Sequence, residues 1–256
     1  MVRSFVLAFI LAHFLILPSI AQESGRETVT QSVEWFALGS NIKIHKRVSI
    51  LAEGQFRYAQ NFKPMQFQFR TGVDVTLNKH FSVLPLGYVY SWNPLYGKQP
   101  ASFVNNEHRI FEQVMYKHAL GRVNVSHRVR LEQRFIQVHQ NNNGEIIDEG
   151  YDLHLNRVRY RLMANIPLNH EKMEARTVYI SLYDEAFLSW GKSLTYNEPD
   201  QNRVFAGAGY QITKQFSVQG GFFYQLLIKA NGTKQENNVG MQFQVNYNID
   251  LTKKEQ

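Results

Sequence analysis

Arginine returns at alternate positions in two stretches of this 256-residue chain: Arg128, Arg130 and Arg134 in one, and Arg157, Arg159 and Arg161 in the other. That spacing places the guanidinium groups of each stretch on one face of an extended strand. Arg57, Arg70, Arg109 and Arg203 follow the same alternation elsewhere, and Glu53, Asp74, Glu107, Glu132 and Glu185 fall on the same faces. A guanidinium stays charged and offers a planar fork of donors to carboxylates and other oxyanions. Two chemistries follow. Facing carboxylates can pair with the arginines across a narrow space and form a salt-bridged plug. Alternatively, the arginines line a wet constriction and favour anionic solutes. A dry protein core suits neither, because so many charges would lose their hydration there.

Other chemistries find less support. Ser126 and His127 are adjacent, and neighbours on a strand point to opposite faces, so they form no nucleophile–base pair. There is no GxSxG elbow, no HExxH or comparable metal spacing and no glycine-rich phosphate loop. The absence of cysteine excludes disulfides, thiolate metal sites and a cysteine nucleophile. No catalytic residue, metal ligand or cofactor is therefore assigned. The enzyme alternative, an outer-membrane lipid-modifying hydrolase, would need a serine, a histidine and an orienting polar group brought together by the fold. The basic balance of 28 Lys and Arg against 21 Asp and Glu is no nucleic-acid footprint, since its arginines lie in strands.

The elements that would carry these charges are long and amphipathic with period two. In 48–58 one face reads Val, Ile, Ala, Gly, Phe, Tyr and the other Ser, Leu, Glu, Gln, Arg. The same pattern yields eleven strands: 31–44, 48–60, 66–77, 81–92, 106–117, 122–136, 151–165, 174–188, 201–212, 216–229 and 238–251. At about 10 to 14 residues they exceed the 5 to 6 of ordinary globular strands and suit the 9 to 11 needed to cross a bilayer with tilt. The expected fold is all-β: a transmembrane up-and-down antiparallel β-barrel with arginines inward and apolar residues toward lipid. Because single-chain bacterial barrels have even strand numbers, twelve strands are expected, with ten as the fallback. Glu112 would face lipid if Ile110 and Val114 do, unless a bulge intervenes.

Connections at 45–47, 78–80, 117–121, 167–172 and 213–215 read as short periplasmic turns. Those at 61–65, 93–104, 137–150, 189–200 and 230–237 read as longer outer loops. Trp35, Trp92 and Trp190 sit at strand ends or near the chain start and are assigned to an interfacial girdle. Basic and histidine residues in the short turns, Lys46, Arg47, Lys79, His80 and Lys172 among them, suit contact with anionic phospholipid headgroups. The aromatic content, 18 Phe and 13 Tyr, fits strands and interfaces alike.

The chain opens with Arg3, an apolar run from Phe5 to Leu17 broken only by His13, then Pro18 and the small-residue spacing Ser19-Ile20-Ala21. This is the pattern of a secretory signal peptide, residues 1–21, leaving a barrel domain at 22–256.

Several phrases resemble an uncharacterised family of Gram-negative outer-membrane proteins, the domain-of-unknown-function 2490 family. They are Trp35 with its strand, Asn106-Glu107-His108-Arg109, His127 to Phe135, Asn156 to Arg161, Tyr183 to Phe187, and Gln201-Asn202-Arg203 leading to Gly209-Tyr210. The resemblance implies a barrel in the outer membrane and brings no activity with it. The expected role is structural, or passage of small solutes, anions among them. Expected partners are outer-membrane lipids, the barrel-assembly machinery during insertion and small anionic solutes, with no nucleic acid. A soluble periplasmic barrel that binds a small ligand is the remaining alternative; it would need apolar inner faces, the reverse of the arginine pattern.

Overall fold

The computed structural model describes residues 25–192, 194 and 200–252; the signal-peptide expectation lies outside the described residues. The wall is built from β1 (Glu27–His45), β2 (Val48–Ala59), β3 (Lys63–Thr76), β4 (Phe81–Trp92), β5 (Glu107–Leu120) and β6 (Val123–Asn142). It continues through β7 (Glu145–Pro167), β8 (Thr177–Trp190), β9 (Gln201–Gln211), β10 (Phe216–Ile228) and β11 (Lys234–Tyr247), and ends in β12 (Ile249–Asp250). Each of the eleven long strands pairs antiparallel with its sequence neighbours.

The twelve strands are reached in an unexpected way. The wall has eleven long strands, and β12 is a two-residue piece that prolongs the line of β11 beside β1, with Ile42 opposite Ile249. With eleven, the first and last long strands run in the same direction, so the ring closes through a parallel pairing of β1 with β11. Residues 27–32 extend β1 rather than adding a strand. Side chains stitch the seam: Gln31 donates to Asn238 at 2.8 Å, the Asn41 amide to the Asn248 side chain at 3.1 Å, and Lys43 pairs with Asp250 at 3.6 Å. The backbones approach so closely that a methyl group on Gly240 would lie 1.7 Å from the carbonyl oxygen of Val33, its register partner, so only glycine fits.

The outside of the barrel is apolar and the inside polar. Leu38, Phe69, Leu86, Ile110, Val114, Val129, Leu188, Phe222 and Phe243 are exposed on outward positions, while most of the arginines on inward positions are buried. A surface of this kind is stable against hydrocarbon and closure removes every edge, so the strands cross a membrane without unpaired backbone groups. Aromatic rings gather at the strand ends on the outer face, Phe67 against Trp92 at one end and Phe216 against Tyr247 at the other. Glu112 does face outward: β5 and β6 stay in register throughout, and Glu112 lies opposite Leu131.

Two expected outer loops are not loops. The chain reverses within residues 60–62, where Gln60, Asn61 and Phe62 all take left-handed backbone angles. The stretch 137–150 is a ribbon prolonging β6 and β7 past the wall and turning at Asn143-Gly144, both with positive φ, the signature of an Asn-Gly hairpin turn. On the other side, the connection from 168 to 176 is longer than expected.

Candidate functional site: the charged interior

Alternation along β2, β3, β5, β6, β7 and β9 brings all ten arginines to the inner wall. Their carboxylate partners come mostly from neighbouring strands, because inward side chains of adjacent strands lie side by side. Glu107 on β5 is held by two arginines, each through two bonds. Arg109 donates from Nε and Nη2 at 2.6 and 2.7 Å, and Arg134 from the same atoms at 2.5 and 3.1 Å. Glu132, fully buried on β6, accepts from Arg157 at 2.6 Å and Arg159 at 2.6 Å. Glu185 on β8 accepts from Arg128 and from Arg159 at 2.9 Å, with Arg203 at 3.7 Å. Arg159 thus bridges Glu132 and Glu185, and Arg70 pairs with Glu53 at 2.5 Å.

Charge pairing is incomplete. Ten arginines meet four carboxylates, Glu53, Glu107, Glu132 and Glu185; Asp74 stands apart near the turn end, where it accepts from Ser82 at 3.1 Å, and the buried Glu236 pairs with Lys229 at 2.6 Å. Arg57 has amide partners only, Gln55, Gln66 and Gln68. Arg130 donates twice to Gln113 at 2.7 and 3.1 Å and lies over the Phe111 ring, 4.3 Å from its centre. Arg161 lies 5.7 Å over the Tyr183 ring, and no carboxylate comes within ion-pair distance of it among the described residues. Amides and rings solvate Arg57 and Arg161 without neutralising them, whereas Arg130 also has Glu132 at 3.9 Å.

Trp35 is not part of an interfacial girdle. It points into the barrel with 5% of its surface exposed, 4.1 Å from Phe223, and carries the Arg57 guanidinium 4.0 Å above its ring and that of Arg203 at 5.0 Å. Odd-numbered positions of β1 face inward, and Trp35 shares that face with Gln31, Val33 and Ala37, all buried. Placement near the chain start suggested an interface, but the parity of the strand decides. Trp92 and Trp190 do stand on the outer face at the long-loop end.

Two features escaped the sequence reading. The connection between β4 and β5 lies across the mouth and is fastened to the seam. Tyr96 donates to Glu236 at 3.0 Å, Lys98 donates from its amide to Gln31 at 3.2 Å and from Nζ to the Thr30 carbonyl at 2.9 Å, and Gln99 donates to the Glu27 carbonyl at 3.0 Å. Gly97, at φ +76°, passes so near Gln31 that a β-carbon would come within 2.5 Å of its side-chain oxygen. Beneath this loop, Tyr96 packs on Val33, Trp35, Ala59, Met65 and Phe223. No local pattern marks a loop that docks on strands so distant in sequence. Deeper in, a cavity of about 60 Å³ is bounded by Trp35, Glu53, Arg57, Arg70, Arg128, Arg159, Arg161, Tyr183, Glu185 and Arg203, with glutamines from β2 and β11.

Fold and site together define a closed β-barrel with an apolar outer face and buried, mostly ion-paired arginines within. The chain belongs to the family described as protein of unknown function (DUF2490), whose model matches residues 34–237. Among solved structures it is similar to one titled NanC porin structure in rhombohedral crystal form, with a TM-score of 0.45 and 12% identity, over 84% of this chain and 97% of that one. No curated protein matches it.

Proposed function

We propose that this protein is an outer-membrane barrel that passes small anions through a narrow, arginine-lined interior, with the β4–β5 loop lying over its mouth. The observation that carries the reading is the surplus of arginine over carboxylate on the inner wall, with Arg57 and Arg161 lacking carboxylate partners. Fixed positive charge in a low-dielectric wall raises the local concentration of anions and repels cations. The export-signal pattern read in the sequence of residues 1–21 and the apolar outer face support location in the outer membrane, with lipids as the proposed surrounding partner and the assembly machinery as the proposed aid to insertion.

A second reading, a structural barrel with a salt-bridged plug, is favoured by the smallness of the cavity and by the shared pairs at Glu107, Glu132 and Glu185. One experiment separates the two. Purified protein in planar bilayers under a KCl gradient should give currents whose reversal potential has the sign of chloride permeation. Silent membranes would favour the plug, and a reversal potential of the opposite sign would overturn the anion reading.

A further inference from the structure

We propose that the cavity among Arg57, Arg70, Arg128 and Arg161 is a binding site for a small oxyanion of the size of inorganic phosphate or a short carboxylate. Around it stand six arginines and two carboxylates, Glu53 and Glu185, and Glu132 reaches Arg159 from beyond the lining, so positive charge on the rim exceeds the neighbouring negative charge by at least three. The Nε–H groups of Arg57, Arg70, Arg128 and Arg161 are buried and have no acceptor within the protein. Buried donors in folded proteins are nearly always matched. Four of the arginines that line this one small cavity thus each keep a donor without an acceptor. Water could accept these hydrogen bonds, but it leaves the charge uncompensated at a site largely removed from solvent. An anion answers both needs.

Geometry narrows the class. These four arginines come from two pairs of neighbouring strands, β2 with β3 and β6 with β7, so they line the cavity from two parts of the ring. Oxygens that diverge from one central atom, each with free lone pairs, match donors from two parts of a ring; a spherical halide makes no use of their direction. A cavity of about 60 Å³ admits a few water-sized groups, the bulk of a small oxyanion. Arg57 is held over the Trp35 ring and by three glutamine side chains, so its orientation is set before a ligand arrives.

The site rests on the anion reading only for how the ion enters, and the two can fail separately. Titration calorimetry of the detergent-purified barrel should show saturable binding of inorganic phosphate, with acetate also binding and chloride at equal ionic strength not. Arg161→Gln should weaken phosphate at least tenfold, and Arg161→Lys should recover part of the loss, because Arg161 spends no bond on a protein carboxylate. Should Arg161→Gln fail to fold, the comparison of phosphate with chloride on the unaltered protein still decides. Phosphate binding no stronger than chloride overturns the site even if bilayers carry anion-selective current. Saturable phosphate binding with silent bilayers upholds the site and sinks the passage reading.

Discussion

At the scale of single residues, Glu132 shows how an inner-wall carboxylate is held. It is fully buried and receives Arg157 and Arg159 at 2.6 Å each, with Arg130 at 3.9 Å. Replacing two such charges together by apolar groups is often tolerated, whereas removing one partner leaves the other charge buried and unpaired. Glu132→Gln is therefore expected to destabilise the barrel by about 3–5 kcal/mol, read as a lower denaturant midpoint for unfolding in lipid. A midpoint unchanged within error would mean that the wall arginines are already solvated. Trp35 teaches a different point: its neighbours in sequence suggest an interface, yet its parity in β1 makes it the platform beneath Arg57 and Arg203.

At the scale of elements, the seam and the loop matter most. Gly240→Val pushes a branched side chain into the Val33 carbonyl at the one place where the sheet closes. The expected outcome is loss of the folded, faster-migrating band on unheated gels, while an alanine at Gly54, where a β-carbon meets only the Phe56 ring at 3.6 Å, leaves the band in place. Persistence of the folded band in the Gly240 variant would show that β1 and β11 do not meet in this register. The β4–β5 loop is fastened by the Tyr96–Glu236 bond. A hydrogen bond to a charged group contributes about 1.5–3 kcal/mol. Tyr96→Phe should accordingly raise the time-averaged current about tenfold if the loop limits passage, and an unchanged current would show that the constriction lies deeper, among the arginines.

At the scale of the whole molecule, an odd number of long strands has a consequence for the termini. β1 and β11 run in parallel, so the chain enters the wall at the end that bears the long 93–106 connection and leaves it at the opposite end. With the long-loop end outward, an epitope inserted directly before Gly25 should be reached by antibody on intact cells, and one appended after Gln256 only after the outer membrane is opened. Labelling of both from the same side would contradict parallel closure.

Much of this barrel is written locally. Side chains alternate with period two along every strand, so the inward and outward sets can be read residue by residue, and the strand boundaries at 48, 81, 201 and 216 coincide with those of the folded chain. All ten arginines and their carboxylates are assigned to the inner wall by that alternation alone, and the long apolar faces require lipid. What only the tertiary structure decided is non-local. Parallel closure of β1 on β11 depends on two segments some 200 positions apart meeting in register. Which carboxylate serves which arginine depends on the stagger between strands. That Tyr96 reaches Glu236 across the mouth depends on the curvature of the ring. Alternation fixes the side of the sheet on which a group lies, whereas the distance between two groups on that side is set only when the sheet has closed.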